Sequence, residues 1–188
     1  MLTNCAPACR SCDQLDINNR CKYTPEEYPD ALRSGDLDRL FYDIVNGKWD
    51  QYGPVIHSAP KDYKRTNSSS TVDDSDVKIG GPWVVTFDNF LTDEEADRMI
   101  ELGYKEGFDR STDVGQRKFD GTYDKKVSTG RTSNNAWCMH ECEKDPIAER
   151  VGHRIGNVTT VPSSYSENFQ ILRYEETQRY NRHHDYIS

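Results

Sequence analysis

The chain has 188 residues, enough for one domain or for one domain with a small appendage. It carries 24 Lys and Arg against 32 Asp and Glu, which gives a formal net charge of -8 at pH 7. This acidic balance argues against a surface that grips the phosphates of a nucleic acid. No apolar run approaches the roughly 18 residues of a membrane span, and no signal peptide is visible after Met1. We therefore predict an acidic protein with one core and no membrane span in this chain.

The first 21 residues are rich in cysteine and contain four of the six in the chain: Cys5, Cys9, Cys12 and Cys21. Four thiolates can bind zinc, but a zinc site normally shows two CxxC pairs, and here only Cys9 and Cys12 make one. Disulfides formed in the secretory pathway are the favoured alternative. Two glycosylation sequons, which begin at Asn67 and Asn157, support that compartment.

Two segments lie between this cluster and the main domain. Residues 22–56 are predicted to be helical, with a helix over 34–47 that Ser34 or Asp36 can cap and Gly47 can end. Its apolar face is formed by Leu37, Leu40, Phe41, Ile44 and Val45. Residues 57–81 are rich in Lys, Asp, Ser and Thr, and we interpret them as a flexible linker.

Residues 82–188 contain the predicted main domain. A strand over 82–91 is followed by Thr92-Asp93-Glu94-Glu95, a capping box in which Glu95 reaches back to the cap amide. Asp145-Pro146 begins a second helix, with Pro at its first position. Further strands are predicted over 169–174 and 180–187. The apolar stripes of the two helices are Ala96, Met99, Ile100 and Tyr104 in the first and Ile147, Val151 and Ile155 in the second.

The strongest chemical signal is His183-His184-Asp185. In a strand, side chains two residues apart point to the same face, so His183 and Asp185 would converge while His184 turns away. An imidazole and a carboxylate are two of the three ligands in the facial triad of non-haem Fe(II) oxygenases. Taken alone the pattern is weak, because two solvated histidines beside an ordinary aspartate would look the same.

The residues around it resemble the iron-binding strand of the prolyl 4-hydroxylases, which are 2-oxoglutarate-dependent dioxygenases. That strand has a tyrosine nine residues before the iron-binding histidine, a Gly-Gln pair between them and a second tyrosine three residues before the histidine. Tyr174, Gln178 and Tyr180 match this pattern, whereas Thr177 replaces the usual glycine.

Two upstream motifs extend the resemblance to about residues 82–188. Asp88–Glu95 is similar to the strand-to-helix opening of that catalytic domain, and 130–133 (Gly-Arg-Thr-Ser) resembles its Arg-Thr-Ser segment. Three motifs in the right order are more specific than any one of them. The chain looks most similar to the algal and plant members.

The resemblance implies an α+β fold: a double-stranded β-helix (jelly-roll) core with flanking N-terminal helices. It also implies Fe(II), 2-oxoglutarate, O₂ and ascorbate as cofactors, and a proline-rich peptide or protein as the substrate. Hydroxylation of peptidyl proline to 4-hydroxyproline is the implied reaction. The metal and the co-substrate supply that chemistry, and the protein supplies geometry and water exclusion.

Roles for individual residues follow from the same resemblance. His183 and Asp185 are the implied iron ligands, and Tyr174 is the implied hydrogen-bond donor to the 2-oxoglutarate carboxylate. Arg131, Tyr180 and, more weakly, Ser133 are implied to contact the substrate peptide. On residue type alone, Tyr174 could instead be a core tyrosine and Arg131 a solvated loop charge.

Other residues complete the sequence-based expectations. Cys138 and Cys142 could close a small disulfide loop, and we expect three other histidines to be surface residues: His57, His140 and His153. The start of the chain, with Cys5, Cys9 and Cys12, resembles the tail of a ShK toxin-like module. The cysteines, the sequons and the family resemblance together imply the secretory pathway and the endoplasmic reticulum.

We expect a fragment, because neither a second iron-binding histidine nor a 2-oxoglutarate-binding Lys or Arg follows. Such a fragment should be inactive and should aggregate or fold poorly, since it exposes unpaired strand edges. The alternative function is a non-catalytic binding module for Pro-rich peptides with a degenerate hydroxylase domain.

Overall fold

A computed structural model describes residues 30–119 and 121–184 of the protein. The chain divides into two units. The first comprises Ala31–Glu101 and His140–Asn168, and the described part of the second comprises residue 30 and residues 102–119, 121–139 and 169–184. The N-terminal cysteine cluster with its ShK-like spacing, and the predicted iron ligand Asp185, lie outside the described residues.

Four helices and eight strands are described. The helices are α1 (Asp36–Val45), α2 (Asp93–Glu106), α3 (His140–Glu143) and α4 (Pro146–Thr159), with short 3-10 turns at Asp50–Tyr52 and Ser163–Tyr165. The strands are β1 (Pro54–Ala59), β2 (Lys78–Ile79), β3 (Val84–Phe87), β4 (Asp109–Arg110), β5 (Asp113–Arg117), β6 (Tyr123–Lys126), β7 (Asn134–Trp137) and β8 (Gln170–Arg173). Within the described ranges, no helix is both long enough and apolar enough to cross a membrane.

The first unit contains a three-stranded sheet in the order β2-β1-β3. Strand β1 runs antiparallel to β3, with Ile56 opposite Val85, and parallel to β2. The core beside this sheet consists of Val45, Ile56, Ala59 and Val72. The predicted flexible linker over 57–81 is therefore wrong in part, because this segment contains the end of β1, strand β2 and a core residue.

Helix α1 confirms the helix predicted over 34–47, but its cap differs from the prediction. The N-cap is Gly35, which has a positive φ of 89° and makes no side-chain cap bond. Asp36 instead accepts a hydrogen bond from the Arg33 amide at 2.7 Å, one turn back. After the helix, Gly47 has a φ of 93°, the left-handed conformation that commonly ends helices and that glycine adopts without strain.

The capping box at the start of α2 is confirmed in both directions. The Thr92 amide donates to Glu95 Oε2 and the Glu95 amide donates to Thr92 Oγ1, each at 3.2 Å. Glu95 is buried, and both of its carboxylate oxygens also accept hydrogen bonds of 2.7 Å from the guanidinium of Arg154 in α4. The hydrogen bonds from Arg154 lower the pKa of Glu95 from its ordinary value of 4.5 to about 2.

Helix α4 begins as the Asp145-Pro146 signal predicts. The Asp145 side chain caps it by accepting from the Ile147 amide at 2.9 Å. Arg98 of α2 donates to the same carboxylate at 2.7 Å, and this hydrogen bond is the main cause of a lowered pKa at Asp145. Helices α2 and α4 are thus joined by ion pairs at two positions.

The predicted apolar stripe of α2 is only partly correct. Ile100 is 51% exposed and Tyr104 is 57% exposed, whereas Leu102 and Gly103 are buried. The side chains of Phe108 and Ile171 pack against Gly103. A Cβ atom at this position would lie about 3 Å from both of them. The end of α2 therefore packs on a face that periodicity within the helix did not identify.

The second unit contains a sheet in the order β4-β7-β8 and a separate hairpin of β5 and β6. In the three-stranded sheet all neighbours are antiparallel, and Asn135 lies opposite Leu172. Strand β8 confirms the prediction over 169–174. The described residues form a mixed α/β architecture with small sheets, and the complete double-stranded β-helix stays a prediction.

Candidate active site

Two short segments, 130–132 and 179–181, run side by side beyond the paired ends of β7 and β8. Two backbone hydrogen bonds of 2.8 Å join them, one from the Thr132 amide to the Arg179 carbonyl and one from the Asn181 amide to the Gly130 carbonyl. Between these bonds, Arg131 and Tyr180 form an antiparallel bridge. Two residues for which the sequence suggested the same role, contact with a substrate peptide, therefore lie next to each other.

The side chain of Arg131 lies over the ring of Tyr180. Its guanidinium carbon is 4.6 Å from the ring centre, a cation-π distance that contributes on the order of 1 kcal/mol. Arg131 Nη1 donates to the Thr112 carbonyl at 3.3 Å, and Nε is buried without a hydrogen-bond partner in the described part of the chain. Arg131 is thus held in place and is not a solvated loop charge.

The ring of His183 stacks on the ring of Tyr180. The two ring centres are 3.6 Å apart and the planes differ by 18°. His183 Nδ1 lies 2.8 Å from the carbonyl oxygen of Asn181. Because a carbonyl only accepts, Nδ1 carries the proton, and in a neutral imidazole the lone pair is then on Nε2. Metal-binding histidines are commonly oriented by such a hydrogen bond from the second ring nitrogen.

The stack shows that residues 180–183 do not form a regular strand, since strand residues three apart point to opposite faces. Of the strand predicted over 180–187, the described residues contain only the bridge at Tyr180. The convergence of His183 with Asp185 stays a prediction, because Asp185 lies outside the described residues. No group of three His, Cys, Asp or Glu close enough to bind a metal occurs within 30–119 and 121–184.

The other histidines are exposed, as predicted. His57 Nε2 lies 2.8 Å from the Thr86 hydroxyl across strands β1 and β3. His153 lies on α4 at 3.6 Å from Glu149, and His140 begins α3.

Tyr174 and Ser133 differ in their access to solvent. Tyr174 follows β8 and is 46% exposed, so it is not a core tyrosine and its side chain is accessible to a small ligand. Ser133 is fully buried, and its hydroxyl forms a 3.0 Å hydrogen bond with the hydroxyl of Ser111. The prediction that Ser133 contacts the substrate peptide is therefore not supported, because its side chain does not reach the surface.

Arg110 was missed by sequence reasoning. Its guanidinium donates to the carbonyl oxygens of Thr132 and Arg131 at 2.9 Å and to that of Ser128 at 3.2 Å. Three carbonyls from one loop thus converge on one cation, which fixes the backbone that presents Arg131. The sequence gives no signal for this role, since Arg110 is one of several charges in a polar stretch.

The turn after β8 explains the glycine of the prolyl 4-hydroxylase pattern. The Gln178 amide donates to the Glu175 carbonyl at 3.0 Å, and Thr177 at the third turn position has a φ of 73°. Positive φ at that position is typical of a type II turn and favours glycine. Thr177 therefore occupies a strained conformation, because a β-branched side chain is disfavoured in the left-handed region.

The candidate glycosylation sites are exposed, and the two candidate disulfide cysteines are buried. Asn67 is exposed, but its side-chain nitrogen already donates to the Asn46 carbonyl at 2.9 Å. Asn157 is exposed on α4. Cys138 and Cys142 are both buried and both disulfide-bonded.

Sequence comparison gives a family relationship. Prolyl 4-hydroxylase 2 of Arabidopsis thaliana is 32% identical over 124 residues, which are 65% of this chain and 39% of the relative. Probable prolyl 4-hydroxylase 4 of the same plant is 34% identical over 128 residues, with the same two coverages. Probable prolyl 4-hydroxylase 7 is 30% identical over 152 residues, 71% of this chain and 46% of the relative. No family model matches the chain.

The chain spans about two fifths of the length of the first two of these relatives. The similarity supports a relationship with the prolyl 4-hydroxylases.

Proposed function

We propose that this chain forms part of a peptidyl-proline 4-hydroxylase that depends on Fe(II) and 2-oxoglutarate. One observation carries the proposal: Tyr180 contacts both Arg131, from a separate motif, and His183. Similarity to Arabidopsis thaliana prolyl 4-hydroxylases supports it independently.

The iron would be held by His183 and Asp185. The described residues fit this role at His183, whose Nδ1 bonds to a backbone carbonyl in the manner of metal-binding histidines. A facial triad needs one more imidazole in addition to these two residues. When bound, iron and 2-oxoglutarate supply the oxidising power that replaces a proline C–H bond by C–OH.

The protein's own residues would bind and orient the peptide. A proline-rich peptide offers carbonyl acceptors but has no amide donor at proline. Arg131 and Tyr180 supply the complementary donors, a guanidinium and a phenol. Their mutual contact limits the motion of both side chains, so little conformational entropy is lost when a polyproline II peptide binds.

Tyr174 would bind the co-substrate. Its half-exposed phenol can donate a hydrogen bond to a carboxylate of 2-oxoglutarate. We further propose that the protein resides in the secretory pathway, in the endoplasmic reticulum. The disulfide bonds of Cys138 and Cys142 support this location, because disulfides persist in oxidising compartments.

The test is turnover by the complete gene product with Fe(II), 2-oxoglutarate, ascorbate and a proline-rich peptide. Mass spectrometry would measure the gain of one oxygen on proline, and a second assay would measure succinate. His183→Ala should abolish both signals, whereas His184→Ala, a matched change at the adjacent exposed histidine, should retain most of them. Turnover that survives in His183→Ala would refute the proposal, as would a folded gene product without turnover.

A further inference from the structure

The first unit contains an open cavity of about 440 Å³ beside α1. It is lined by residues of α1, by the segment after β1 and by Trp83 just before β3. The lining combines three aromatic rings (Tyr42, Tyr63 and Trp83) with two carboxylates (Asp38 and Asp62) and one amine (Lys64). Aromatic faces together with carboxylates are the surroundings that organic cations prefer in proteins.

Two of the three aromatic rings, Trp83 and Tyr63, pack against other side chains of the protein. Trp83 stacks on Phe41 with ring centres 4.9 Å apart and planes within 5°. Tyr63 contacts Trp83 edge-on, at 5.4 Å and 87°. The Tyr63 hydroxyl donates a hydrogen bond to Asp74 at 2.8 Å. Burial, and to a lesser extent this hydrogen bond, raises the pKa of Tyr63 to about 12. Trp83 and Tyr63 are therefore held by contacts within the protein.

Both carboxylates of the cavity, Asp38 and Asp62, are exposed to solvent. In the described ranges, neither Asp38 nor Asp62 forms a side-chain hydrogen bond or an ion pair, although Lys64 lines the same cavity. Other acidic side chains nearby are paired, for example Asp74 with Arg65 at 3.5 Å and Asp43 with Lys48 at 2.6 Å. Asp38 and Asp62 thus keep their acceptor capacity for a group that enters from outside.

We propose that this cavity binds the guanidinium of an arginine side chain presented by a partner polypeptide. A guanidinium is flat and stacks on aromatic rings, and its five donors match carboxylate oxygens, often in pairs. A lysine ammonium lacks the flat face and is more strongly hydrated, so it should bind less tightly. The proposal is independent of the hydroxylase activity, because none of its residues belongs to the proposed iron or peptide site.

The test uses the complete gene product labelled with 5-fluorotryptophan, in which Trp49, Trp83 and Trp137 each give one fluorine resonance. The probe is Nα-acetyl-arginine methylamide, and the glutamine and lysine analogues are comparison ligands. The Trp83 resonance should shift saturably with arginine, less with lysine and not with glutamine, while the Trp137 resonance stays fixed. The absence of a saturable shift would overturn the proposal, and equal affinity for lysine would overturn the assignment of a guanidinium.

Three variants test which charged side chains of the cavity contribute to arginine binding. Asp38→Asn combined with Asp62→Asn should weaken arginine binding about tenfold, since both compensating charges are lost. Lys64→Ala should strengthen it about threefold, because a competing cation is removed. Asp76→Asn, at an exposed carboxylate that does not line the cavity, is the control and should leave the affinity unchanged. Unchanged affinity in the double variant, with its fluorine spectrum otherwise intact, would contradict the role of the carboxylates.

Discussion

Arg131 and Tyr180 are far apart in the sequence, yet their backbones form an antiparallel bridge and the guanidinium carbon lies 4.6 Å from the ring centre. Each residue limits the positions that the other can adopt. The Thr112 carbonyl accepts a hydrogen bond from the same guanidinium, so the pair is anchored to a third segment. A peptide that binds here would meet donors that are already oriented.

Arg131→Gln should therefore impair peptide binding more than the chemical step. We expect the KM for a proline-rich peptide to rise about tenfold in the complete gene product, since a cation-π contact and charged donors are lost. The KM for 2-oxoglutarate and kcat should change little. Steady-state rates with each substrate varied in turn measure the difference, and Arg117→Gln, at an exposed arginine of β5, is the control. An unchanged peptide KM would contradict this role.

Ser133→Ala should lower the stability of the protein and leave its binding of the peptide unchanged. The change leaves the buried Ser111 hydroxyl without the hydrogen bond it makes to Ser133, and an unsatisfied buried hydroxyl costs about 1–3 kcal/mol. Urea denaturation should show this loss, while the peptide KM stays the same. Ser68→Ala, at an exposed serine, should leave the free energy of unfolding unchanged. A raised peptide KM without a loss of stability would restore Ser133 as a substrate contact.

Local signals in the sequence predicted local structure well. The Thr92–Glu95 capping box and the Asp145-Pro146 helix start are present because their interactions join residues two or three positions apart. Such contacts depend little on the rest of the fold. The positive φ of Thr177 was not predicted, although the glycine that the family has at this position is a local signal of the same kind.

Burial was harder to predict because it depends on contacts between distant segments. Val72 lies in a polar stretch, but β1 and α1 enclose it in the core. Leu102 is buried instead of Ile100, since Phe108 and Ile171 pack against the end of α2. Neither outcome can be derived from the periodicity of one element.

The candidate site shows the same division between local and distant information. Sequence motifs identified Arg131, Tyr180 and His183, but the ring stack of Tyr180 and His183 contradicts the regular strand that the pattern favoured. Arg110, which binds three carbonyls of the loop that carries Arg131, had no sequence signal at all. Its role depends on where the loop carbonyls point, and residue types do not encode that direction.

Thr177→Gly should stabilise the protein, although glycine usually destabilises. The φ of 73° costs a β-branched residue about 1–2 kcal/mol, and relief of that strain exceeds the added entropy of the unfolded chain. We expect a net gain of about 0.5–1 kcal/mol in the free energy of unfolding, measured by urea denaturation. Glu176→Gly, one position earlier and without a positive φ, should instead lose about 0.5 kcal/mol. Equal effects of the two changes would argue against strain at Thr177.

Glu95 should make stability depend on pH in the acidic range. Its pKa is about 2 in the folded protein against an ordinary 4.5, because Arg154 donates two hydrogen bonds to the carboxylate. A lowered folded-state pKa gives stability that is complete above about pH 4.5 and is lost as the pH falls toward about 2. The difference corresponds to about 3 kcal/mol.

Glu95→Gln should therefore lower the free energy of unfolding by about 3 kcal/mol at pH 7, since Arg154 is left without its counter-charge. The gap between the variant and the wild type should narrow steadily as the pH falls from 4.5 toward 2, because protonation then removes the same charge from the wild type. Urea denaturation at a series of pH values measures this gap. Glu149→Gln, at an exposed position of α4, should show no such gap at any pH. A gap for Glu95→Gln that stays constant with pH would show that packing, and not the ion pair with Arg154, is responsible for the loss.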